Sequence, residues 1–279
     1  PEAARAQSVV QAVGHDFRAA GGDIWHLWTS PFHANARDWR DAGAVIAATA
    51  IVATSDQRVD RWIAASQSSA SIRALKPFRE AKGIRLIDLG SGNLLLPVSG
   101  GLYVTGLATG SRALRDAGIG CATAQQSNSI LRGLVYSLVD RERPGTANGR
   151  AYRINFPGGD WNQHSFFGGH VANAFACSSY VSTRFHLGFI EPLLYTGATG
   201  IGLARMADRR HWASDTFLGA AFGYAMGRSV ALRQKHRLAR EREHREASRI
   251  APTLQYGLDG FYSGRTSDGG FALGWRGRF

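Results

Sequence analysis

The sequence predicts a mainly α fold: a bundle of helices followed by a short β-hairpin at the C-terminal end. Three observations carry this. Apolar residues recur at helical spacing in successive stretches between residues 90 and 245, small residues are frequent in those stretches, and the pattern turns to imperfect alternation after Pro252. With 279 residues the chain can bury a sizeable core, and a hydrophobic content of 44% is ordinary for a globular protein.

Residues 1–40 read as an N-terminal helical extension, in which Val9, Val10, Val13 and Phe17 recur near helical spacing and Trp25, Trp28 and Phe32 follow. It is expected to be a lid or an extension packed on the core, with a partner-binding arm as the alternative. Residues 41–54 form an apolar helix, Ser55-Asp56 either end it or begin the next, and residues 58–83 read as amphipathic helix and loop broken at Pro77. The core occupies residues 41–230, with helices near 90–110, 121–140, 169–184, 188–204 and 213–245. The connection from Arg143 to Phe167 is long and holds Pro144, Pro157 and Gly158-Gly159, so it is expected to shape access to a site. Within it, Asn155, Trp161, Asn162 and His164 either contact a ligand or order the loop. Residues 231–250 form a charged helical extension, with Glu241, Glu243 and Glu246 set among arginines as in a solvated helix. Residues 251–279 form the hairpin, Thr253 to Leu258 and Gly270 to Phe279 flanking a turn-rich Ser263 to Gly269.

The formal charge of +12 comes almost wholly from arginine, since the lysines are Lys76, Lys82 and Lys235. Such a balance favours acidic partners: phosphorylated substrates or anionic lipid headgroups. Nucleic acid is not expected, because the arginines are dispersed and no aromatic-rich nucleic-acid motif occurs. Cys121 and Cys177 either form one disulfide or stay as two buried thiols. Neither the cysteines nor the nine histidines fall at metal-binding spacing, so no metal is expected. No stretch reaches about 18 uninterrupted apolar residues, and a membrane-facing bundle fits the mild mean hydropathy.

The chemistry concentrates in three ordered blocks. In the last, Arg205-Met-Ala-Asp-Arg-Arg-His211-Trp-Ala-Ser-Asp215, a helix would bring His211 and Asp215 onto one face, where the carboxylate could fix the imidazole tautomer. Arg205 supplies a planar fork suited to phosphate. Upstream, Asp140-Arg141-Glu142-Arg143-Pro144 follows an apolar segment that Pro144 should stop, so that Arg143 projects from its end. Between them lies Ser165-Phe-Phe-Gly168-Gly169-His170. Its glycines precede a helix whose first amides and dipole favour an anion, and His170 stands where it could protonate a leaving group.

These blocks, in this order, resemble the type 2 phosphatidic acid phosphatase and vanadium-dependent haloperoxidase superfamily. Its pattern is Lys, six residues, Arg-Pro; then Pro-Ser-Gly-His; then Ser-Arg, five residues, His, three residues, Asp. The resemblance covers roughly residues 85–230 and implies a helical bundle of the acid phosphatase/haloperoxidase type. It implies that His211 is a nucleophile forming a phosphohistidine, that Asp215 orients it, and that His170 protonates the leaving alcohol. Arg143, Arg205 and the amides around Gly168 and Gly169 would hold the phosphoryl oxygens. No cofactor is needed for this chemistry. The haloperoxidases hold vanadate in the same site. Departures from the pattern are Tyr136 at the lysine position, where it either donates a phenolic hydrogen bond to the phosphate or is a core aromatic, Gly169 at the serine position, Phe167 for the proline and Ala204 for the last serine. Arg132, one helical turn before Tyr136, is either a surface residue or a substitute cation.

The expected function is a metal-free phosphomonoesterase of the bacterial cell envelope, periplasmic or membrane-associated, acting on a lipid phosphate or diphosphate or a small phosphate ester. The alternative is a weakened or inactive member that serves as a structural or binding subunit of an envelope assembly, bound to the membrane surface or to an envelope protein.

Overall fold

The computed structural model describes residues 2–80, 85–146, 150–155, 164–250, 261–265 and 271–275. Its helices are α1 Glu2–Thr29, α2 Ala36–Ala53, α3 Asp56–Ala65, α4 Ala70–Arg73, α5 Lys76–Arg79, α6 Gly92–Thr109, α7 Arg112–Leu138, α8 Gly169–Phe185, α9 Glu191–Ala207 and α10 Ala213–Ile250. Short strands β1 Asp140–Arg141 and β2 Ile154–Asn155 pair antiparallel, as do β3 Phe261–Arg265 and β4 Phe271–Trp275. The chain divides into two compact units, Pro1–Leu232 and Arg233–Phe279. The second contains a hairpin, with Phe261 opposite Trp275 and Arg265 opposite Phe271; its first strand is Phe261–Arg265, which runs into the stretch expected as a turn, while the expected strand Thr253 to Leu258 lies outside the described residues. The fold is mainly α, as the helical periodicity requires.

Local signals set several boundaries. Asn35 opens α2 with its side chain accepting from the amides of Arg37 and Asp38, while Asp38 reaches back to the Asn35 amide. Gly110 ends α6 in the left-handed region at φ 73, a conformation a Cβ would oppose. Pro77 begins α5 instead of breaking a helix, since its missing N–H is surplus in a first turn. Pro144 does not stop the helix before it either. α7 ends at Leu138, where Val139 turns extended and the chain enters β1.

Within the first unit the core is built by close helix approach. A Cβ on Gly219, Gly223 or Gly227 of α10 would lie 2.7, 2.1 or 2.0 Å from the carbonyl oxygen of Gly168, Ala172 or Ala176 of α8. Both series step by four residues, so one small-residue face of α10 lies on the matching face of α8. Gly120 of α7 serves the buried Tyr180 in the same way, and the Tyr180 hydroxyl donates to the Asp116 carbonyl at 2.7 Å. A disulfide joins Cys121 of α7 to Cys177 of α8, which settles the alternative of two free thiols. The N-terminal helix docks on this frame through Leu27, packed on the cluster of Cys121 and Tyr180, and through polar groups. Asp16 accepts from the Tyr103 hydroxyl and pairs with Arg115 at 3.0 Å, whereas Val10, Phe17, Trp25 and Phe32 face outward.

Candidate functional site

The start of α8, the end of α9 and the start of α10 meet where the small-residue contact of α8 and α10 begins, and backbone hydrogen bonds stitch the three motif blocks there. The Ser165 amide donates to the Arg141 carbonyl at 2.8 Å, the Gly168 amide to the Asp215 carbonyl at 3.0 Å, and the Gly145 amide to the Arg209 carbonyl at 2.9 Å. Trp212 Nε1 donates to the Glu142 carbonyl at 2.8 Å and Arg143 Nε to the His164 carbonyl at 3.1 Å. Arg143 therefore stands in the connection after β1, fixed on the second block, and not at a helix end.

His211 is buried, and its Nδ1 donates to the Ser165 carbonyl at 2.8 Å. A carbonyl only accepts, so the proton sits on Nδ1 and Nε2 keeps its lone pair. Burial and Arg205 hold the imidazole well below its usual value. The side chain is thus a neutral base with one nitrogen available for attack.

The expected direct bond between His211 and Asp215 gives way to a different arrangement. His211 precedes α10, so the two residues do not share a helix face. Asp215 lies in the first turn, where its carboxylate accepts from the Trp212 amide at 3.2 Å, from the Ser165 hydroxyl and from Arg141. Its influence reaches His211 through Ser165. Burial pushes the Asp215 carboxyl up, and Arg141 with these donors opposes the push. Arg141 is buried as well. It donates to Asp56 at 2.6 Å, to the Ser214 hydroxyl at 2.9 Å and to the Ala151 carbonyl at 2.8 Å. Asp56, at the start of α3, accepts in addition from the Ser214 amide at 2.9 Å. Asp56, Arg141, Ser165 and Ser214 had no assigned part in the sequence reading. Arg141 and Ser165 lay within the blocks, but no spacing pointed to Asp56.

Gly168 caps α8, and His170 follows in its first turn. The amides of Gly169, His170 and Val171 have no acceptor within the helix and so face the site with partial positive charge. Burial, Arg205 and Arg132 hold the His170 imidazole down at about 3. Arg205, in the last turn of α9, has a buried Nε without a hydrogen-bond partner among the described residues, and burial beside Arg143 lowers it to about 10. Tyr136 is buried against the His164 ring at 5.1 Å, and burial raises its phenol against the pull of Arg132, Arg143 and Arg205. Arg132 is not a detached surface group. Its guanidinium lies 5.6 Å from the Tyr136 ring centre and against Gly169.

The structure therefore brings Tyr136, Arg143, Gly168, Gly169, His170, Arg205, His211 and Asp215 to one place. His164 is buried behind Tyr136, with its Nε2 3.3 Å from a carboxylate oxygen of Asp140. The Asn155 side chain, Trp161 and Asn162 lie outside the described residues. Among the described residues no three His, Cys, Asp or Glu side chains gather as metal ligands.

Such a site can hold a tetrahedral anion between guanidinium groups and helix amides, with a neutral imidazole beside it. A stretch of 70 residues is 43% identical to the lipid A 1-phosphatase of Porphyromonas gingivalis; it makes up 23% of this chain and 15% of that protein. The chain thus spans a small part of that relative's length. Among solved structures, the transmembrane PAP2-type phosphatidylglycerolphosphate phosphatase of Bacillus subtilis aligns with 67% of this chain and 92% of its own at 15% identity and a TM-score of 0.45. LpxE of Aquifex aeolicus aligns with 57% of this chain and 93% of its own at 20% identity and a TM-score of 0.41. Residues 119–238, which hold all three motif blocks, match the PAP2 superfamily model.

Proposed function

We propose that the protein is a phosphatase of the bacterial cell envelope that removes a phosphoryl group from a lipid phosphate or diphosphate through a phosphohistidine on His211. The observation that carries this is the neutral, Nδ1-protonated His211 facing a pocket of arginines and helix amides. His211 Nε2 attacks phosphorus while the bond to the leaving oxygen breaks. His170 gives that oxygen its proton, and water then attacks the phosphohistidine with His170 taking the proton back. Arg143, Arg205 and the amides at Gly168 and Gly169 neutralise the equatorial oxygens. Burial first and the arginine charge second keep His170 neutral, and a bound phosphate offsets the second of these.

A lipid substrate is favoured over a small ester by an apolar cavity of about 330 Å³ between α8 and α9, lined by Leu86, Leu89, Ala174, Val181, Leu194 and Ile201. Ala174 lies one turn from His170 and Ile201 one turn from Arg205, so the cavity runs along both helices away from the phosphate site. An envelope location is supported by the disulfide, which persists in oxidising compartments. Among the described residues no helix is long and apolar enough to cross a membrane. Trp25 at 71% exposure and Phe32 at 85% offer the first helices to a membrane surface.

The test is phosphate release, in chelator, from phosphate esters of increasing alkyl length and from lipid phosphates. His211→Ala should abolish turnover, and kcat/KM should rise with chain length. An unchanged rate in His211→Ala would sink the phosphohistidine; a flat length series would return the choice to small esters.

A further inference from the structure

The site has lost the lysine and the serine of the family pattern, yet a cation still stands beside the place each would occupy. We propose that Arg132 contacts the substrate phosphate as the replacement for the missing lysine, and that Gly169 is the residue that admits it. The proposal rests on the phosphatase reading and assigns a further phosphate-binding side chain within it.

Two independent placements support it. Arg132 lies one turn before Tyr136 on α7, and its guanidinium reaches over the Tyr136 ring at 5.6 Å, a cation–π distance. The position that would carry lysine therefore carries an aromatic support for an arginine that starts four residues earlier. At the other end, a Cβ on Gly169 would lie 2.3 Å from Arg132 Nη1, 3.0 Å from Cδ and 3.2 Å from Cζ. The guanidinium occupies the space in which a serine side chain would begin. The two departures thus form a single exchange: the larger cation needs both the ring below it and the open backbone beside it.

Its surroundings point to an anion. Gly169 is the first residue of α8, where the helix dipole repels a cation. Among the described residues Arg132 makes no ion pair, and the other guanidinium groups of the site, Arg143 and Arg205, act on the same tyrosine. Three cations and a helix N-terminus converge without a carboxylate to balance Arg132. A phosphate set between the guanidinium and the first-turn amides satisfies both, and the planar fork of arginine can bridge two of its oxygens where lysine would offer one point charge.

The experiment compares wild type, Arg132→Ala, Gly169→Ser, the double variant of these two, and Arg132→Ala combined with Tyr136→Lys. Each is read by kcat/KM for a soluble phosphate monoester and by calorimetric affinity for inorganic phosphate. Arg132→Ala should lower kcat/KM by about a hundred-fold, as for loss of one transition-state donor, and weaken phosphate binding. Gly169→Ser should act in the same direction by displacing the guanidinium, whose flexible end can move without unfolding the helix. The double variant should be no worse than Arg132→Ala, because both changes remove one interaction. Tyr136→Lys should restore part of the loss. Unchanged phosphate affinity and kcat/KM in Arg132→Ala, beside a dead His211→Ala, would overturn the assignment and leave the phosphatase reading standing. Phosphate binding that depends on Arg132 in a protein that hydrolyses no ester would do the reverse.

Discussion

Burial and the guanidinium groups of Arg205 and Arg132 hold His170 at about 3, against 6.5 for an unperturbed imidazole. The folded protein therefore refuses a proton that the unfolded chain accepts. Stability should be flat above about pH 6.5 and fall as the pH drops from there towards 3, with His211 adding in the same direction. Thermal melts between pH 7 and pH 5 should show the fall, and His170→Gln should make it shallower; an equal slope in both proteins would place the titration elsewhere. The identities of His170, Arg205 and His211 were legible in the sequence because the blocks preserve their spacing. The partner of His211 was not. Helical periodicity from His211 to Asp215 suggested a direct bond, but the helix starts at Ala213, and a carboxylate in a first turn serves the amide at the helix entrance. Likewise Arg132 could be placed one turn from Tyr136, while the open space at Gly169 that draws it inward belongs to another helix.

Small residues decide how α8 and α10 meet. Gly223→Ala would put a Cβ 2.1 Å from the Ala172 carbonyl, with backbone on both sides and no flexible end to give way. It should cost about 1–3 kcal/mol and slow turnover, since the same contact sets His211 beside His170. Gly100→Ala on α6 meets nothing within 4 Å and should be neutral or stabilising by up to about 1 kcal/mol. Urea unfolding of the two variants separates close approach from general helix propensity. The Cys121–Cys177 bond joins α7 to α8 across 56 residues, and replacing both by serine should lower stability by about 4 kcal/mol in the chain-entropy view. The sequence showed small residues throughout the core helices. It did not show which faces matched, because a four-residue step on one helix has meaning only against the same step on its neighbour. Nor did spacing choose between a disulfide and two thiols, since that depends on where α7 and α8 lie together.

At the scale of the whole molecule, the helical bundle follows from a periodicity of 3.6, whereas the imperfect alternation near the C-terminal end announces a hairpin without placing its first strand, Phe261–Arg265. The network around Asp56 follows from no periodicity, because it joins residues 85 positions apart. Asp56 has 1% exposure and Arg141 4%, so Asp56→Ala leaves a buried guanidinium without one of its two carboxylates. That loss should cost about 3–5 kcal/mol, read by urea unfolding, and should lower turnover through the Ser165–His211 contact. Asp56 stands well outside residues 119–238, the segment that matches the superfamily. The recognisable domain and the smallest working piece of this protein are therefore different things. A fragment trimmed to begin after α3 would keep every motif residue and still expose Arg141 to a missing counter-charge. Deletion mapping should find the boundary of activity upstream of Asp56, at a place that motif searching would pass over.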